Sequence, residues 1–201
     1  MNTVCISLGY GCFPAVWATH NRLRSSKADG YKTCVFDLMV SNYNGVVKCI
    51  LEDFKNFTDP KFLHYTATTG ENILNSYYNF QFNHETPGHA NLYIQENWPG
   101  GKNHFVDNNF AHFIERYKAR INNFINYLQT CEFITFVIEF FDTIRFDKTC
   151  KDLCDALALK YPKLNYKIII ITGKQTQPRK VEDTTIVSTI QKPKDVTDSK
   201  I

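Results

Sequence analysis

Phe133-Ile134-Thr135-Phe136-Val137-Ile138-Glu139-Phe140 is strand-sized and apolar at both odd and even positions, the pattern of a strand covered on two faces. Downstream, Lys148 to Tyr161 reads as an amphipathic helix with Leu153, Ala156, Leu157 and Tyr161 inward, and Pro162 ends it. Tyr166-Lys167-Ile168-Ile169-Ile170-Ile171 is a second buried strand. Strand, helix and strand at this spacing predict a right-handed βαβ crossover. Thr184 to Ile190 follows as a last strand, expected at the sheet edge, and 191–201 as a charged, disordered tail.

Upstream, Phe110, Phe113, Ile114, Tyr117, Ile121, Phe124, Ile125 and Leu128 keep helical spacing, which predicts a long helix from Asn108 or Asn109 to Leu128. A shorter helix is expected from Tyr43 or Asn44 to Phe54, behind the cap-type pair Ser41-Asn42. Thr33-Cys34-Val35-Phe36 is a strand candidate that runs directly into Asp37. Residues 61–80 have no decisive pattern, although Tyr77 to Phe82 fits a strand. At the N-terminus Thr3-Val4-Cys5-Ile6-Ser7-Leu8 alternates as a strand. Gly9-Tyr10-Gly11-Cys12 then supplies a turn, and Pro14 fits the first turn of a helix reaching Leu23. The sum is a single α/β domain over 1–190, with a largely parallel or mixed sheet and helices on both faces.

The composition narrows the function classes. A net charge of +3 over 201 residues gives no broad basic face for nucleic acid. The longest apolar run, Phe133 to Ile138, falls far short of the roughly 20 residues of a membrane helix. No signal peptide is read at the N-terminus, and the seven cysteines, an odd number, lie mostly in expected strands and helices. Reduced thiols in a cytoplasmic, reducing compartment are therefore expected. Ser199-Lys200-Ile201 approaches a peroxisomal ending by chance. No cofactor is expected: Gly9-Tyr10-Gly11-Cys12-Phe13-Pro14 starts like a dinucleotide fingerprint but has Pro14 where the third glycine belongs. No metal is expected either. Cys150 and Cys154 share a helix face without a second ligand pair, and His104 and His112 do not form H-E-x-x-H.

Cys12 falls where a strand meets a helix N-terminus, beside unpaired backbone N–H groups and the positive end of a helix dipole, which stabilise a thiolate. It is either a nucleophile or a small apolar residue wedged in a turn. In open α/β sheets sites form beyond the C-terminal strand ends, and this turn is expected at one. The loop Asn83-His84-Glu85-Thr86-Pro87-Gly88-His89 concentrates titratable groups.

Ser7-Leu8-Gly9-x-x-Cys12, then Phe36-Asp37-Leu38, then Phe82-Asn83-His84-Glu85 is an ordered set. It resembles a domain family, found in bacteria and large DNA viruses of protists, that is catalogued as papain-like cysteine peptidases. The resemblance runs from about Cys5 to Val137 or Ile171. It implies a hydrolase or acyl-transferase acting on a peptide or other acyl substrate. Cys12 would be the nucleophile, His84 the general base and Asp37 the group that orients the imidazole. A papain-like fold also implies a cysteine on a long helix and a histidine on an antiparallel barrel, which the βαβ reading does not share.

Some roles stay open from the residues. Glu85 is a rival orienter and His89 a rival or substrate-facing histidine. Turn N–H groups from Gly11 to Phe13 suit an oxyanion. Arg116, Lys118 and Arg120 form a basic stripe, either solvated or anion-binding. A second class of function is a sugar- or nucleotide-binding transferase with Asp37, His84 and Arg120 as contacts and Cys12 structural. A third is a non-catalytic interaction module.

Overall fold

The computed structural model describes residues 2–66, 71–86, 98–140, 146–172, 179–182 and 185–191. In chain order the strands are β1 (Thr3–Ser7), β2 (Leu63–Thr66), β3 (Asn72–Asn75), β4 (Phe80–Phe82), β5 (Phe133–Phe140), β6 (Tyr166–Thr172), β7 (Arg179–Glu182) and β8 (Thr185–Gln191). The helices are α1 (Phe13–His20), α2 (Tyr43–Leu51), α3 (Asp107–Thr130) and α4 (Phe146–Lys160).

The main sheet has the order β1-β5-β6-β8-β7. β1, β5, β6 and β8 are parallel, and β7 returns antiparallel to β8. The β5–α4–β6 segment joins parallel neighbours as its sequence pattern predicts. Alternation along the strands feeds two cores. Ile6, Phe136, Ile138, Ile168 and Ile170 face the larger one, with Leu153 and Leu157 of α4 and Phe124 of α3. Cys5, Val137, Ile169 and Ile171 face the other way, onto Phe13 and Ala18 of α1. Helices therefore cover both faces of an α/β domain.

A second, antiparallel sheet of β2, β3 and β4 extends the larger core. Aromatic rings fill the space between it and α3. Phe57 lies 5.4 Å from Tyr117 and 5.6 Å from Phe82, and Phe36 lies 5.7 Å from Phe124, centroid to centroid. Such tilted and edge-on pairs suit the ring quadrupoles.

Three expectations need correction. Thr33 to Phe36 is not a strand, because Asp37 captures the Cys34 N–H at 2.7 Å and the chain turns there. The strand expected over 77–82 is confined to β4. Asn75 Oδ1 takes the N–H groups of Tyr77 and Tyr78 at 3.1 and 2.9 Å, and Asn42 Nδ2 donates to the carbonyls of Tyr78 and Asn79, both at 2.8 Å. The strand expected at the sheet edge, β8, is internal, and β7 takes the edge. Residues 192–201 of the expected tail lie outside the described residues. The long helix begins at Asp107, with Asn108, Asn109 and Phe110 in left-handed backbone before the regular turns.

Asn42 caps α2 as expected, its Oδ1 accepting the Gly45 N–H at 2.8 Å. Gly45 is where α2 meets the 76–79 turn. A Cβ there would run into the Tyr78 carbonyl oxygen and lie 2.7 Å from Phe80 Cε1. Alanine favours a helix over glycine by up to about 1 kcal/mol, but overpacking costs about 1–3 kcal/mol, and the obstacle is backbone. Gly45→Ala is expected to destabilise the protein by a net ~1–2 kcal/mol in urea denaturation. A gain in stability would show that α2 and the turn separate easily.

Candidate functional site

β1 ends at a turn held by two buried serines. Gly9 and Tyr10 both have positive φ, 89° and 75°. At Gly9 a side chain would also collide with Ser41 Oγ. The Tyr10 N–H donates to Ser41 Oγ at 2.8 Å, the Ser41 hydroxyl donates to the Leu8 carbonyl at 3.3 Å, and the Gly9 N–H donates to Ser7 Oγ at 3.1 Å. Cys12 follows as the N-cap of α1, with Pro14 in the first turn, and its carbonyl accepts the Val16 N–H at 3.1 Å. Cys12 is half-buried, and the Cα of Gly11 beside it borders open space. The turn lies beyond the C-terminal end of β1, where the sequence places it.

The strip that holds this turn also holds the histidine segment. Val40, next to Ser41, exchanges two backbone hydrogen bonds with Gln81 of β4, both at 2.9 Å. His84 is three residues further on, in the 3-10 turn Asn83–Glu85, and is 4% exposed. The Cys12 turn and the His84 turn thus hang from neighbouring residues, Ser41 and Val40.

Asp37 is 1% exposed and engaged on both oxygens. Arg24 Nη1 donates to Oδ1 at 2.9 Å. The Tyr31 hydroxyl and the Cys34 N–H donate to Oδ2 at 2.9 and 2.7 Å. The Arg24 guanidinium lies 4.2 Å above the Tyr31 ring, and its Nε donates to Thr19 Oγ1 at 2.8 Å. Burial and then the Asp37 charge push the Tyr31 phenol and the Cys34 thiol well above their ordinary values.

Glu85 is fully buried under α3. Arg116 and Arg120 reach its Oε1 at 3.2 and 3.1 Å, and the Tyr117 hydroxyl donates to Oε2 at 3.1 Å. Arg120 is therefore inside the fold and paired with a carboxylate, not on a solvated stripe. His89 lies outside the described residues. His104 and His112 stack at 4.2 Å on the exposed side of α3.

Among the other six cysteines, Cys5, Cys34, Cys49, Cys150 and Cys154 are buried, and Cys131 is half-buried at the opposite end of the sheet, 3.8 Å from Asn2 Oδ1. Burial pushes the Cys5 thiol up to about 12. Nearby Arg24 lowers it and Asp37 raises it, without changing that outcome. All seven are free thiols. Among the described residues no group of three or more His, Cys, Asp or Glu side chains is placed to hold a metal. Among them, too, no helix is long and apolar enough to cross a membrane.

The family model for "Putative papain-like cysteine peptidase (DUF1796)" matches residues 3–176, most of the chain. The chain belongs to this family. No curated protein matches it, and no solved structure does. In this member Cys12 heads an eight-residue helix behind a parallel sheet, and His84 follows a small antiparallel one.

The sequence reading passed over Arg24, Tyr31 and Ser41, which position the site. Arg24 and Tyr31 carry no periodic signal, since they contact Asp37 through the irregular 21–37 segment. Ser41 has the composition of a cap residue, but its neighbour Asn42 does the capping.

Removing one partner of a buried ion pair strands the other, at about 3–5 kcal/mol. Glu85→Ala is therefore expected to lower stability by that amount in urea denaturation, and a loss under about 1 kcal/mol would contradict the buried pairing. Burial of Cys5 gives a second expectation. Unfolded, its thiol titrates near ~8.5; folded, it is pushed up to about 12. Between these values the unfolded chain has lost a proton that the folded chain keeps, so stability falls as pH rises through this window and is unaffected below it. Denaturation midpoints that hold constant from about pH 8 to 10.5 would contradict a buried Cys5.

Proposed function

We propose that the protein is a cysteine-dependent hydrolase or acyl-transferase acting on a peptide or similar acyl bond, with Cys12 as nucleophile and His84 as general base. The observation that supports this most is the placement of Cys12. It is the half-buried thiol at the C-terminal end of a parallel strand and at the start of a helix. The family match and the shared Val40–Ser41 support of the two turns point the same way.

In this reading His84 takes the thiol proton as sulfur attacks the acyl carbon. The N–H groups of Gly11 to Phe13 receive the oxyanion. The tetrahedral adduct collapses to a thioester as His84 returns the proton to the leaving group. Water, or an acceptor amine or hydroxyl, then attacks the thioester with His84 again as base, releasing product and restoring the thiol. Asp37, held by Arg24, Tyr31 and the Cys34 N–H, shapes the wall beside α1, and in this reading it is also the group that orients the imidazole. The sugar- or nucleotide-binding alternative needs Asp37 and Arg120 to leave charged partners at 2.9 and 3.1 Å, which costs more than a solvated contact returns.

The test is iodoacetamide alkylation of the native protein against pH, with peptide mapping. Cys12 is expected to react first and to remain reactive below pH ~7, and His84→Ala to move that reactivity to higher pH. Cys5, Cys34 and Cys49 are expected to stay protected until unfolding, since burial raises all three. A Cys12 inert in the native protein, or a profile indifferent to His84→Ala, sinks the mechanism.

A further inference from the structure

Two surfaces flank Cys12. Past it, one turn along α1, begins a cleft of about 390 Å³ whose lining includes Ala15, Val16, Thr19, Asp37 and Leu38. Ahead of it lies the turn from Gly9 to Gly11, and Tyr10 is the one side chain that this turn carries.

Tyr10 is in an unusual place for its type. Its φ of 75° lies in left-handed backbone, where a bulky side chain is strained and glycine is not. Glycine stands on both sides of it. The turn is fastened through the backbone: the Tyr10 N–H donates to Ser41 Oγ at 2.8 Å, and any residue but proline supplies that donor. The ring belongs to neither apolar core and is 46% exposed. Neither the turn nor the cores therefore call for a tyrosine here. Residues held in strained backbone cluster at active sites and ligand clamps.

Tyr10 is also close to the thiol by covalent geometry. Two residues apart, the Cα atoms of Tyr10 and Cys12 lie within about 7 Å of each other. Gly11 puts no side chain between them. Among the described residues, a Cβ built on Gly11 would meet no atom within 4 Å apart from its chain neighbours. A half-buried thiol, an open step and a part-exposed ring thus follow one another along the chain. A ring so placed offers an apolar face against which a second ring stacks or packs edge-on.

We propose that Tyr10 is a specificity-determining residue for the reaction of Cys12: its ring packs against an aromatic side chain on the residue that presents the reacting acyl group, and Ser41, through the Tyr10 N–H, holds the backbone that keeps the ring there. The inference rests on the reading of Cys12 as nucleophile.

The experiment compares alkylation of Cys12 by N-benzyl and N-methyl chloroacetamide, in which sulfur displaces chloride. Peptide mapping separates Cys12 from the half-buried Cys131. The benzyl-to-methyl rate ratio of glutathione sets the intrinsic reactivity. Wild-type Cys12 is expected to exceed that ratio about fivefold, the worth of one ring pair. Tyr10→Phe should keep the excess. Tyr10→Gly and Tyr10→Asn, which suit left-handed backbone, should bring the ratio down to that of glutathione. Both should melt no lower than the wild type, since they relieve the backbone. Labelling of Cys12 without a benzyl excess, or an excess that survives Tyr10→Gly, overturns the role of Tyr10 and leaves the nucleophile standing. A melting temperature several degrees lower in both variants makes the ring a packing element and overturns that role too. A Cys12 that neither reagent labels removes the cysteine mechanism and, with it, this role for Tyr10.

Discussion

A carboxylate shut away from water must be neutralised where it stands, and Asp37 is the point at which this constraint shapes the molecule. Its partners come from three places: Arg24 beyond the end of α1, Tyr31 on the segment that returns beneath it, and the backbone of Cys34. Meeting the needs of one charge therefore folds residues 24 to 37 into a fixed wall beside α1. Without that wall α1 would be a short helix resting on Phe13 and Ala18, and no cleft would run along it. Glu85 solves the same problem on the other side, drawing Arg116, Tyr117 and Arg120 inward and fixing the turn that carries His84.

Between these two neutralised charges, hydroxyls and backbone do the positioning. Ser41 fastens the Gly9–Tyr10 turn, and Val40 fastens β4. A displacement of residues 40–41 would move the cysteine and histidine segments together, so their relative geometry tolerates more drift than their absolute positions. In the proposed mechanism this shared support keeps Cys12 and His84 in register.

The parallel sheet was legible in advance because its signal is local. Phe133–Phe140 and Tyr166–Ile171 are too apolar for anything but strands buried on both faces, and the helix between them has one apolar side. The position of Cys12 followed from Gly9 and Pro14 in the same way. What stayed hidden depended on side chains satisfying distant backbone. Thr33 to Phe36 has strand composition, yet one carboxylate oxygen diverts it into a turn. Tyr77 and Tyr78 favour a strand, yet Asn42 and Asn75 claim the backbone groups that a ladder would need. Arg120 looks solvated by helical position until Glu85 is placed beneath it. In each case the deciding partner is fixed by tertiary structure rather than by neighbouring sequence.

The register of β1 carries a consequence for the timing of assembly. Ser7 pairs with Val137, and the Leu8 N–H donates to the Val137 carbonyl at 2.8 Å. The strand that presents Cys12 is thus made before its partner, which emerges only after the long helix α3 has been synthesised. Closing so long a loop adds to the entropic cost of folding and slows it. The nascent chain spends that interval with its thiol beyond the end of a strand that has no β5 to pair with. In the proposed mechanism the reactivity of Cys12 waits for the sheet to close, and a ribosome-bound fragment that ends before β5 carries an ordinary cysteine.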